Sequence, residues 1–147
     1  MQQNFNLPEI KFPACKHRRK KPKPVAFLPW LATDPYRIFF LTGLIFAILG
    51  VALWPASYLG QLSFYPATAH AHLMIQCFGG GFILGFLGTA GPRMLGAPKL
   101  SPAELLTLLA LHVSGGIAHL LNAPLAGDTL FTLTFITFLS SLAVRFA

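Results

Sequence analysis

The chain has 147 residues, 54% of them hydrophobic and only 10% charged, with a formal net charge of +7. A soluble domain carries about 25% charged residues. Here the apolar residues also come in long runs, which excludes an ordinary water-soluble globule and points to an all-α, polytopic transmembrane helix bundle forming one unit. Two cysteines, Cys15 and Cys77, exclude a disulfide framework.

Residues 1–27 form a polar, basic, proline-bearing tail. Seven of the eleven Lys and Arg residues lie between Lys11 and Lys23. Like charges repel and prolines remove donors, so the tail is predicted to be disordered. Beside a membrane span, such a run reads as a topology signal and a contact for anionic lipid headgroups, not as a nucleic-acid arm. The Arg18-Arg19 pair does not make an export signal. The next apolar run is too distant, and further spans follow it instead of a cleavage site. Phe27-Leu28-Pro29-Trp30-Leu31 suits the membrane interface, where tryptophan's amphipathic ring prefers to lie.

The rest, 28–147, reads as a four-span domain with spans over about 36–54, 68–91, 102–121 and 128–146, each close to the length a bilayer requires. Asp34 is placed to cap the first helix, with Pro35 at its first position. Pro55 and 56–66 are expected to form an uncharged loop. The second span opens with His70 and His72 and is crowded with glycine at positions 79, 80, 81, 85 and 88. In water each interior glycine costs about 1 kcal/mol relative to alanine. In lipid, Gly81-x-x-x-Gly85, continued by Gly88, places gaps on one face and lets a neighbouring backbone approach. Ser101-Pro102-Ala103-Glu104 is a capping-box start for the third span. Asn122-Ala123-Pro124 ends that span, and Asp128-Thr129 starts the fourth. No repeat and no strand-like alternation is evident.

With four spans, the tail, Arg93, Lys99 and Arg145 share one side of the membrane, while Asp128 lies on the other. The excess of positive charge predicts a cytoplasmic amino terminus. His70, His72 and the end of the third span then face outward.

Ionisable groups inside a membrane are costly and tend to face the bundle interior. His112 and His119 are two turns apart, roughly 10.5 Å of rise, on nearly one azimuth. His70 and His72 point about 200° apart on an ideal helix. Antiparallel neighbours put His72 and His119 at similar depth. For any single histidine, interhelical hydrogen bonding worth about 0.6–2 kcal/mol is a sufficient explanation. The outer set together points to a redox-metal or haem site, because neutral imidazole is the commonest protein ligand for such metals. His70, His72 and His119 are the candidate metal ligands, and His112 joins them as a candidate cofactor ligand. A ligand histidine needs an acceptor for its other ring nitrogen, and backbone carbonyls or Asn122 are expected to supply it. Met74, Met94 and Cys77 read as packing. The spans hold no carboxylate relay, nucleophile–base pair or phosphate loop, so the residues select no enzyme reaction.

Three stretches in order, Pro35-Tyr36-Arg37-Ile38-Phe39-Phe40, His70-Ala71-His72-Leu73-Met74 and Gly85-Phe86-Leu87-Gly88-Thr89-Ala90-Gly91-Pro92, resemble the opening of the NnrS family over about 34–102. The resemblance implies a bacterial inner-membrane protein that binds haem and copper and is linked to nitric-oxide metabolism and nitrosative-stress tolerance. His70 and His72 both match the family's His-x-His. Leu73 stands where the family usually has glutamate, so that carboxylate is absent here. The motif does not reach His112 or His119. Family members have many more spans, so a fragment, a truncated product or a reduced relative is expected, completed by further spans or a homo-oligomer. Two other classes remain open: a cofactor-free membrane packing or transport subunit, and a b-type electron-transfer cytochrome. The latter requires paired axial histidines about two turns apart on facing helices, a spacing that only the third span offers.

Overall fold

The computed structural model describes residues 34–146, and these form four helices with no strand. The tail expected over 1–27, with Cys15 and His17, and the aromatic patch at 27–31 lie outside the described residues. The helices are α1 (Pro35–Tyr58), α2 (Ala67–Met94), α3 (Pro102–Leu120) and α4 (Pro124–Phe146). All four are long and apolar enough to cross a membrane. α1 packs along α2 and α3 along α4, so the bundle is two antiparallel hairpins joined through α2 and α3.

The helix ends follow local chemistry, with three departures from expectation. Asp34 precedes Pro35 at the start of α1, but its side chain makes no capping bond. The open N–H of Tyr36 is met instead by Thr89 Oγ1 across the bundle, at 3.1 Å. α1 also runs through Pro55 to Tyr58 where a loop was expected. In a transmembrane helix the acceptor that a proline leaves open can be satisfied by local adjustment, so the residue need not end it. α4 starts at Pro124, ahead of Asp128, because proline lacks only a donor that the first turn leaves unpaired anyway. The capping box of α3 forms as expected: Glu104 N–H donates to Ser101 Oγ at 3.3 Å, and Ser101 N–H to Glu104 Oε2 at 2.7 Å. The first three helices close alike, with Gly60, Gly96 and Asn122 in the left-handed region at φ 71°, 65° and 56°. The next N–H in each case bonds back to Ala56, Pro92 and Ala118 at 2.8–2.9 Å, the Schellman arrangement.

The glycines of α2 form the seam with α1. A Cβ on Gly81 would lie 3.0 Å from the Phe39 carbonyl oxygen and 3.4 Å from Gly43 Cα; one on Gly85 would lie 3.0 Å from Tyr36 Cα. One on Gly88 would lie 3.3 Å from Pro35 Cβ. Backbone therefore touches backbone or first-carbon atoms over three turns, as the small-residue spacing predicts.

Two apolar clusters fill the interior. Phe39, Leu84, Leu105, Leu108 and Phe138 form one, and Phe46, Leu53, Ala69, Leu73 and Cys77 the other. Large apolar side chains such as Leu44, Ile48, Val51, Ile136 and Leu139 point outward, as lipid-facing positions do.

The charges segregate. Asp34, Arg37, Arg93, Lys99, Glu104 and Arg145 gather at the end where α1 and α3 begin. Asp34 is 6% exposed and is reached by Arg93 Nη2 at 2.8 Å, Lys99 Nζ at 3.2 Å and Arg37 Nη2 at 3.4 Å. Burial alone would push this carboxyl up. The hydrogen bond and charge of Lys99, with Arg93 and Arg37, outweigh burial and hold it below the ordinary carboxylate value. Arg145 pairs with Glu104 and donates to the carbonyls of Pro98 and Lys99, tying the end of α4 to the α2–α3 loop.

Candidate metal centre

The opposite end holds the histidines. The first segment of α2, Ala67–His72, is regular α-helix, so His70 and His72 diverge as their spacing requires. His70 turns to α1, where its Nδ1 lies 2.9 Å from the Gly50 carbonyl oxygen and its ring sits edge-on to Trp54. His72 turns to α3 and α4. Its ring stacks on His119 with centroids 4.5 Å apart and planes 9° from parallel.

Gln76 and Asp128 complete a polar quartet around that stack. Gln76 Nε2 donates to Asp128 Oδ1 at 2.7 Å and lies 2.9 Å from His72 Nδ1. Gln76 Oε1 accepts from His119 Nε2 at 2.8 Å. Asp128 Oδ1 is 3.1 Å from His72 Nδ1 and 3.9 Å from His119 Nε2. In this arrangement His119 carries its proton on Nε2, and its Nδ1 is a bare lone pair, buried without a partner. Exposure grades outward: the side chains of His119, His72 and Asp128 are 1%, 25% and 45% exposed. Gly127 makes the placement possible, since a side chain there would overlap the His119 ring.

One ligand atom from each of His72, His119 and Asp128 lies within 4.8 Å of the other two. Around a tetrahedral metal with N and O ligands at about 2.0–2.2 Å, neighbouring donors lie roughly 3.4 Å apart. The separations of His72 Nδ1 and His119 Nε2 from Asp128 Oδ1, 3.1 and 3.9 Å, bracket that spacing. Two imidazoles and a carboxylate suit Cu(II) or Zn(II) better than an oxygen-preferring cation.

His112 stands apart, between the two apolar clusters, with the rings of Phe39 and Phe46 edge-on to it. Its Nε2 is buried and unpartnered, facing the Gly81 seam. Cys77 lies in a π-helical turn, Leu73–Gly79, that interrupts α2 just after His72 and carries Gln76. Single π turns inside α-helices are rare and concentrate at functional sites. The open crevice of about 560 Å³ between α1 and α2 lies at the charged end, among Tyr36, Phe40, Phe86, Thr89 and Arg93. It holds no histidine and is not where the ligand-type groups converge.

The sequence did not single out Gln76, and it marked Asp128 only as a helix start on the side opposite the basic residues. Gln76 carried a signal as a polar residue four after His72, on the same helix face. Asp128 carried one as a carboxylate at the depth of His119. Of the acceptors expected for a ligand histidine, backbone carbonyls or Asn122, a carbonyl meets His70, and the backbone of Asn122 closes α3.

A bundle of four membrane-crossing helices with imidazoles, an amide and a carboxylate gathered at one end defines a multi-pass membrane protein with a polar interior site. The family described as NnrS protein matches residues 30–147, and the chain belongs to it. No curated protein and no solved structure matches the chain.

Proposed function

We propose that this chain is the four-span unit of an NnrS-type inner-membrane protein that holds copper between His72, His119 and Asp128 and serves nitric-oxide metabolism or the nitrosative-stress response. The observation that carries the reading is the convergence of three ligand-type side chains from three different helices on one point. Surface ion pairing alone gives no reason to bury an imidazole to 1% exposure with one nitrogen unpartnered. Copper bound there would supply one-electron chemistry and a coordination position for a small ligand. The chain's own residues orient the donors: Gly127 gives the His119 ring its room, and Asp128 supplies the negative charge.

Haem fits His70 better than the stacked pair. Two axial ligands approach iron from opposite faces of the porphyrin, whereas His72 and His119 lie face to face with centroids 4.5 Å apart. His70 Nδ1–H donates to the Gly50 carbonyl, which fixes the tautomer and leaves Nε2 with its lone pair free, the usual arrangement of a ligand histidine. His70 is accordingly the residue to hold haem iron if the protein carries it.

Elemental analysis and an optical spectrum of the purified full chain test both statements. His72→Ala should remove most bound copper, His70→Ala should affect haem alone, and His17→Ala should change neither. Equal cofactor content in all three variants would overturn the site. The orientation follows from the positive charge at one end of the bundle. A reporter fused after Arg145 should read cytoplasm, and one placed between Trp54 and Pro66 should read the far side.

A further inference from the structure

Gln76 occupies the middle of the donor set. Its amide nitrogen serves His72 Nδ1 and Asp128 Oδ1, and its amide oxygen takes the proton of His119 Nε2. All three atoms that face one another across the site are therefore engaged by one side chain. An ion bridging the same three atoms would need the position this amide holds.

We propose that Gln76 is an internal latch: its amide stands in for the ion, and it must swing out before a metal binds. The inference rests on the reading that His72, His119 and Asp128 are metal ligands. Three features favour motion of Gln76 over motion of the donors. The His119 ring is confined, stacked on His72 on one side and against Gly127 on the other. Asp128, at 45% exposure, can follow an ion from the open side. Gln76 has a flexible, unbranched side chain on the π-helical turn Leu73–Gly79, a departure from α-helix confined to this part of α2.

Displacement has a proton consequence. A neutral imidazole carries one proton, and for His119 it now resides on Nε2 in the bond to Gln76. When Nε2 becomes the ligand, that proton is carried by Nδ1, the nitrogen left without a partner. Gln76 therefore sets affinity by competition. A residue that helped to hold the ion would have the opposite effect, and the two roles predict opposite signs for one substitution.

The test is the Cu(II) affinity of the full chain in detergent, measured by competition against a chelator of known affinity. Helical circular dichroism of each variant checks its folding. Gln76→Ala removes the competing amide and should tighten binding roughly tenfold or more, the equivalent of one to two net hydrogen bonds. Gln76→Ser should shift it in the same direction and replaces alanine if that variant does not fold. Affinity within twofold of the unmutated chain, or weakened as for an orienting residue by about 10–100-fold, would overturn the latch. His72→Ala separates the two ideas. If it loses copper while Gln76→Ala leaves affinity unchanged, the metal site stands and the latch falls. If the unmutated chain itself binds no copper, both fall.

Discussion

The two ends of the bundle treat polar groups in opposite ways. At the charged end every described carboxylate is matched by cations: Asp34 by Arg37, Arg93 and Lys99, and Glu104 by Arg145. Those contacts connect the start of α1, the α2–α3 loop and the end of α4, and they leave no ligand-type donor unassigned. At the histidine end the partners are neutral or singly charged, rings stack, and a buried imidazole nitrogen has no partner. Full pairing of charge is what a structural clamp requires. Imidazoles and one carboxylate held together by a single neutral amide suit a metal site instead, since those hydrogen bonds can be exchanged for bonds to a cation. On the function proposed above, the difference gives stability to one end and chemistry to the other.

The largest expected effect breaks the structural half. Gly85→Leu puts a branched side chain where even a Cβ would lie 3.0 Å from Tyr36 Cα and 2.9 Å from the Phe40 ring. Overpacking of this kind costs about 3 kcal/mol, and thermal unfolding in detergent should show the loss. An unchanged midpoint would mean that the α1–α2 seam is not a close contact.

A smaller loss is expected from Asp34→Ala, which removes charge-assisted bonds to cations that are partly solvated already, at about 2 kcal/mol. The same carboxylate predicts a pH dependence. Its folded-state value is lowered, so its contribution is complete above the ordinary value of 3.8 and is lost as pH falls below that and through the lowered folded value. A titration of the thermal midpoint should therefore lose its acid limb, in part, in the Asp34→Ala variant. Copper bound per folded chain should not change in either variant; if it does, the two ends are coupled and the division of labour fails.

The smallest stability effect sharpens the other half. Asp128→Asn alters a half-exposed side chain and should shift stability by no more than about 0.5 kcal/mol. Copper affinity should nevertheless fall by at least about tenfold. A stability loss as large as that of Asp34→Ala would make the quartet a clamp like the charged end.

The sequence by itself determined what depends on neighbours along the chain. Long apolar runs set four spans, Ser101 and Glu104 set the start of α3, and glycine spacing set the face of α2 that meets α1. The angle per residue already separated His70 from His72, and antiparallel packing already put His72 at the depth of His119. What only the tertiary structure decided are the pairings between distant segments. Asp34 is 59 residues from Arg93, and Gln76 is 52 residues from Asp128. Which partner such a group finds depends on how each helix is rotated about its axis, and a π-helical turn between His72 and Gly80 changes that rotation. An apolar sequence specifies this only weakly, because lipid accepts any apolar face. Close packing of Gly81, Gly85 and Gly127 against particular atoms supplies the missing constraint.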